Sequence, residues 1–307
     1  MKKAFRSIPL LTTWILLLAT ALAPVSVHNT LRAEKKKIIL LNADTIEGVE
    51  TASGSEPQSY RSVIGNVRFR HGTLTLACDR ATEFETEKKI VLFGNIVIID
   101  NDVEIHADNG VYFPDNEHGE LTGNVRARML NGSLMARARK AVMENRKNRL
   151  WLYDDAIAWG KTERLSGDII MVHTKKAAGD GKQYVDEVQV HRNTLLAARD
   201  TLSLSPVLYN QLSGNRMVIS MNDRGKLSDV IVTGQAESLY HLYDEGNKPT
   251  GINYSSGNSI LMLFIEGRLI KAKVTGNVEG RQYPGRYRGD PKINLPGFVR
   301  KEPERPF

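Results

Sequence analysis

The chain has 307 residues, 41% hydrophobic and 25% charged, with 42 Lys and Arg against 35 Asp and Glu, seven His and one Cys. A single cysteine excludes an intramolecular disulfide. The charges are interspersed, without the concentrated basic stripe that a nucleic-acid-binding surface requires; the basic clusters are Lys35-Lys36-Lys37 and the arginines between Arg126 and Arg149.

Lys2, Lys3 and Arg6 precede an apolar stretch, Leu10 to Ala23, that ends in the small-x-small site Ala21-Leu22-Ala23. This is the pattern of a bacterial secretory signal. Pro24 disfavours cleavage directly after that site, and Ala19-Thr20-Ala21 offers another. The stretch is short of the roughly 20 residues of a full membrane span; an uncleaved inner-membrane anchor is the alternative. Residues 1–33 are read as signal or anchor with a short linker, which places the body of the protein outside the cytoplasm. Removal of residues 1–23 leaves 39 basic against 35 acidic residues, a charge of +4.

The next signal is a repeat. Gly65-Asn66-Val67, Gly94-Asn95-Ile96 and Gly123-Asn124-Val125 stand 29 residues apart, twice. A fixed period of this size implies stacked copies of one unit that share a continuous core. After each mark an apolar residue recurs at every second position: Leu74, Leu76 and Cys78, then Val103, Ile105 and Ala107, then Leu134, Ala136 and Ala138. That is the period of a half-buried strand. Each copy closes on a further run, Ile90–Phe93, Gly119–Thr122 and Leu150–Tyr153, so the unit reads as three short strands. The Gly-Asn pair reads as a corner requiring positive φ, without chemistry of its own.

A degenerate fourth copy covers Asp155–Trp159 and Leu165–Ile169, and a fifth stretch, Tyr184 to Leu204, keeps the alternation without the mark. The mark returns at a longer period in Gly214-Asn215 and Gly257-Asn258. Each opens a strand pair, with turns at Gly225 and Gly267, and a tyrosine, Tyr240 or Tyr283, follows each pair. The organisation is thus a repeat region over 34–210, further hairpins over 211–284 that continue it, and a proline-bearing tail over 285–307 read as extended or disordered. Cys78 falls on the apolar face of its strand and reads as a small buried hydrophobe.

No catalytic constellation emerges. The seven histidines lack metal-ligand spacing, and neither a nucleophile elbow nor a phosphate-cradling loop is present. His106 with Asp108, and Asp79 with Asp108, are the nearest approaches to paired functional groups; both read as polar surface beside turns.

Gly65-Asn66-Val67 with Cys78-Asp79-Arg80-Ala81, Gly94-Asn95-Ile96 with Ala107-Asp108-Asn109-Gly110, and the opening Leu41-Asn42-Ala43-Asp44 resemble the OstA/LptA family of lipopolysaccharide transport proteins. The resemblance is best over residues 38 to 175 and weaker over 214 to 283. It implies an all-β fold, an open V-shaped β-jellyroll of stacked antiparallel strands. It also implies a periplasmic carrier that holds the acyl chains of lipopolysaccharide inside the V. Such proteins are not enzymes, use no cofactor, and join edge to edge with one another and with LptC-like and LptD-like components.

The repeat supplies candidate groove-lining residues for that role: Val67, Phe69, Leu74, Leu76, Ile96, Ile98, Val103, Ile105, Val125, Leu134 and Ala136. Ala136 and Ala138 in the third copy are expected to widen the groove. The competing readings are a structural or adhesive β-solenoid without lipid cargo, and a carbohydrate-active β-helix enzyme. A filled interior favours the solenoid, and an open apolar trough the carrier.

Overall fold

The alternating runs form sixteen strands in one sheet: β1 (Ile38–Asn42), β2 (Thr45–Thr51), β3 (Gln58–His71), β4 (Leu74–Phe84), β5 (Lys89–Asp100), β6 (Val103–Phe113), β7 (His118–Met129), β8 (Met135–Glu144), β9 (Arg149–Trp159), β10 (Glu163–Lys176), β11 (Gln183–Arg199), β12 (Tyr209–Met221), β13 (Leu227–Tyr243), β14 (Pro249–Ile265), β15 (Arg268–Thr275) and β16 (Glu279–Pro284). From β2 to β15 neighbours in the chain pair antiparallel, and among the described residues the first and last strands do not meet, so the sheet is an open meander. β1 and β2 both lie against β3, and β15 and β16 both lie against β14. Each of these pairs is one long strand interrupted once. The structure, a computed structural model, describes residues 37–51, 58–177, 181–203, 206–266, 268–300 and 303–307; the segment read as a secretory signal or anchor and the turn at Gly267 lie outside the described residues.

The bend that organises this sheet is built seven times. Two successive residues take positive φ at Gly65-Asn66, Gly94-Asn95, Gly123-Asn124, Asp154-Asp155, Arg192-Asn193, Gly234-Gln235 and Gly276-Asn277. At Gly65-Asn66 they stand opposite the single residue Asp79 of β4, a β-bulge that bends the strand while the ladder continues on both sides. The preceding strand answers with a small residue followed by a polar one: Ala43-Asp44, Cys78-Asp79, Ala107-Asp108, Ala138-Arg139, Gly167-Asp168, Gly214-Asn215 and Gly257-Asn258. The polar side chain lies over the bulge. Asn95 Nδ2 donates to Asp79 Oδ2 at 2.9 Å, and Asn124 Nδ2 to Asp108 Oδ2 at 2.8 Å. A Cβ on Gly94 would sit 2.2 Å from that Asp79 oxygen, so glycine is required there for space as well as for φ.

This geometry corrects the reading of three strands per unit. Ile90–Phe93 and Ile96–Ile98 are two arms of β5, because the bulge bends the strand without ending it. The degenerate fourth copy keeps the corner with charges exchanged, Arg139 Nη2 meeting Asp155 Oδ2 at 2.5 Å. The fifth keeps it through Asp168, which accepts from Asn193 at 2.9 Å and pairs with Arg192 at 3.2 Å. Gly214-Asn215 and Gly257-Asn258 mark the opposite strand type: Asn215 and Asn258 occupy the aspartate position and pack on Gly234 and Gly276. The longer period follows from strand length, 17 residues in β13 and β14 against 11 in β4 and 12 in β5.

The corners crease the sheet into two wings that enclose one core. The first wing holds β1, the stretches 67–71 and 74–77, and their equivalents; the second holds β2, 58–64, 80–84 and theirs. On the second wing a row of inward side chains runs in register from Val63 through Ala81, Leu92, Leu121, Ala141, Leu152, Ile170, Val190, Met217 and Val232 to Ile260, each at most 5% exposed, with Gly110 of β6 between Leu92 and Leu121. A fully buried leucine or isoleucine of this kind stabilises by about 1.5–3 kcal/mol. Both wings contribute to the same apolar cluster.

The tail after Pro284 packs where an extended or disordered segment was expected. Two short 3-10 turns, Gly285–Tyr287 and Pro291–Ile293, bring Leu295 (4% exposed) onto Leu195, Leu239 and Ile252 on the outer face of the first wing. Gln211 fastens it, accepting from Leu295 N at 2.9 Å and donating to Asn294 at 2.7 Å. Arg164 donates to Val299 O at 2.6 Å, and the Phe307 ring rests 4.5 Å from the Arg128 guanidinium.

Two predictions follow from the corner. Gly94→Ala is expected to lose about 1–3 kcal/mol, whereas Asp79→Asn, which reproduces the side chain found at 215 and 258, costs under about 0.5 kcal/mol and Asp79→Ala about 1 kcal/mol; thermal unfolding of the three variants ranks them. Burial, reinforced by the Asp79 carboxylate, pushes the Cys78 thiol up to about 12. The native protein should therefore resist thiol alkylation at pH 8 and react promptly in denaturant; equal rates in both would refute the buried placement.

Candidate functional site

The interior between the wings is where the fold gathers chemistry of one kind. All eleven sequence-predicted residues lie on the inner face of the first wing, in or against the common cluster. They divide by depth. Val67, Ile96 and Val125 follow the bulges directly and sit in the crease, at most 1% exposed. Phe69, Leu74 and Leu76 line a narrow crevice with Ile90, Leu92 and Tyr112 of the second wing. Ile98, Val103, Ile105, Leu134 and Ala136 line an apolar cavity of about 70 Å³, faced by Met143, Leu150 and Val172 from the second wing. Ala136 opens this cavity together with Ala127; Ala138 sits in the crease instead. The cavity approaches the mouth of the crease beneath the turn between β7 and β8, where the third copy carries its extra residues.

A line of polar contacts crosses the mouth. His71 Nδ1, at the tip of β3, bonds the Tyr112 hydroxyl of β6 at 2.7 Å. Burial holds the Tyr112 phenol well above its usual pKa, so the hydroxyl stays protonated. Asp100 accepts from Thr73 at 2.6 Å within its own wing and from Asn145 Nδ2 of the second wing at 3.2 Å. Asp102 accepts from the backbone N–H of Gln183 at 2.7 Å. These partners are 41, 45 and 81 residues apart in the chain. No short-range pattern could have revealed them. The inner row of the second wing was also missed as groove lining, although its alternation was visible in Ile90, Leu92, Leu121, Leu150 and Leu152.

The residues considered for catalysis do not converge. Asp79 and Asp108 serve separate corners. His106 turns from Asp108 to Glu104, Nε2 to Oε1 at 2.6 Å, on the outer face. That hydrogen bond, with a weaker contribution from Arg128, holds Glu104 below the ordinary carboxylate range against the opposing effect of its burial. Among the described residues no group of three or more His, Cys, Asp and Glu is placed to hold a metal ion, and no helix is long and apolar enough to cross a membrane.

Residues 35–140 match the family of OstA-like proteins. No curated protein matches the chain. Among solved structures, the crystal structure of LptH from Pseudomonas aeruginosa, the LptA-homologous periplasmic component of the conserved lipopolysaccharide transport device, is similar at 15% identity, covering 51% of this chain and 83% of that one with a TM-score of 0.20. The segment similar to OstA-like proteins takes in β1 to the middle of β8, with the first three corners and all eleven inner-face residues.

Proposed function

We propose that the protein is a periplasmic carrier of lipopolysaccharide that shields acyl chains between its two wings on the way to the outer membrane. The observation that carries this reading is the OstA-like match, which falls on the strands that build the apolar interior. The chemistry agrees: two facing rows of aliphatic side chains suit a hydrocarbon chain, whose burial is worth about 0.8 kcal/mol per methylene. The protein acts without catalysis or cofactor. The N-terminal segment directs export, by cleavage or as an inner-membrane anchor.

The open ends of the sheet supply the partner surfaces. The outer strands present Ile39, Leu41 and Ile46 at one end (45%, 50% and 61% exposed) and Ile270 at the other (56%). Most proteins blunt such edges; a bridge-forming protein adds a strand to them. LptC-like and LptD-like components, or further copies of this chain head to tail, are the partners of that chemistry. A cargo-free structural β-scaffold is the second reading, favoured by one observation: the cavity between the wings, about 70 Å³, is small for an acyl chain.

Photo-crosslinking in cells separates the two. A photoreactive residue at Phe69, Ile105 or Leu134 should label lipopolysaccharide, and one at Thr75 or Glu104 should not; equal labelling of both sets, or none, rules out the carrier.

A further inference from the structure

The carrier reading leaves a steric question, because the interior that would hold an acyl chain is almost filled by the protein itself. The contacts at the mouth answer it. Each of the three cross-mouth bonds joins the tip of a first-wing strand to the second wing, at the end farthest from the crease. The crease is a run of bulges, the kind of element that bends a sheet without breaking its ladder. The tips are joined by directional polar contacts that can be exchanged one at a time with water. His71 and Tyr112 are 6% and 3% exposed, so a polar pair has been placed among Ile38, Phe69, Leu74 and Leu92, where an aliphatic contact would have closed the crevice as well. Asp100, Asn145 and Gln183 stand on the wall of the apolar cavity.

We propose that His71–Tyr112, Asp100–Asn145 and Asp102–Gln183 form a latch that holds the wings closed, and that an acyl chain enters sideways through the mouth, beside the turn between β7 and β8, when this latch parts. The inference rests on the carrier reading and specifies how its groove is opened. The bonds hold the resting wings together, and the entering hydrocarbon re-covers the aliphatic rows that parting exposes. Asp102 ties the two parts of the mechanism: its carboxylate holds the second wing, and its backbone carbonyl accepts from Leu130 N of the lip at 2.7 Å.

The test is the uptake rate of a fluorescent long-chain fatty acid by the full chain, followed by stopped flow. Tyr112→Phe and Asp102→Ala should each speed uptake about fivefold, the equilibrium worth of one hydrogen bond. Asp100→Cys with Asn145→Cys, joined by a cleavable bismaleimide, should block uptake and regain it on cleavage. The joined variant keeps the test decisive if a single substitution impairs folding, since its own cleaved form is the control. Uptake by the wild type that is indifferent to the substitutions and to the crosslink overturns the latch and leaves the carrier standing. No uptake by the wild type and by the folded latch variants alike overturns both.

Discussion

Every feature of this fold depends on a pair of left-handed residues set into alternate strands. A non-glycine residue in that conformation costs on the order of 1–3 kcal/mol unless its surroundings hold it there. Glycine removes the steric cost, asparagine tolerates the conformation, and the polar side chain of the preceding strand fastens both. The same device survives replacement of its parts. Asp168 accepts from Arg192 and Asn193 where a Gly-Asn pair stood earlier, and an exchanged ion pair serves at Arg139 and Asp155. What persists is one extra residue in the odd strand opposite a small residue in the even one. Cys78, Ala107, Ala138 and the glycines at 167, 214 and 257 meet that demand; a Cβ on Gly214 would lie 2.4 Å from Val232 Cγ1.

A bulge bends a strand where a turn would end it, and this difference decides the architecture. Had Gly-Asn been a turn, each unit would have been three short strands wound as a solenoid. Because the ladder passes through the bulge, one open meander is creased lengthwise, and a single apolar cluster lies between its halves. The crease is continuous while the tips are separate hairpin turns, so the two sides of the interior differ in kind. One is covalently and hydrogen-bonded continuous; the other is closed by side chains. Among the described residues an open meander also has two edges without a further strand, and aliphatic residues stand on the strands at both.

The sequence made the strand period, the 29-residue step and the inner face of the first wing readable, since all three depend on neighbours within one strand or one copy. The second wing's row was half visible: Ile90, Leu92 and Leu152 alternate correctly, but with the corner taken as a strand end they belonged to a closing strand. The apparent loss of the repeat after residue 175 came from following glycine. The invariant feature is a small residue followed by a polar one in the preceding strand, and Gly167-Asp168 carries it without a Gly-Asn partner. The packed tail was hidden for another reason. Leu295, Ile293 and Phe298 show no period because they cover the sheet one residue at a time and belong to no strand.

The near-filled interior, which taken alone favours a scaffold, is compatible with a carrier once the reference state is considered. An open trough would hold its aliphatic rows against water at about 25 cal/mol per Å², and two wings that can approach will do so. Under the proposed role, cargo would bind by replacing wing-to-wing contact with wing-to-lipid contact. Its affinity is the difference between the gain of about 0.8 kcal/mol per methylene and the cost of separating the wings. A rigid open trough would retain the whole gain and hold its lipid too tightly to pass it on. A groove that closes on itself returns part of that energy at release, as bridging between membranes requires. At the narrow cavity beside Ala127 and Ala136 closure is incomplete, and there the exchange would cost less to begin.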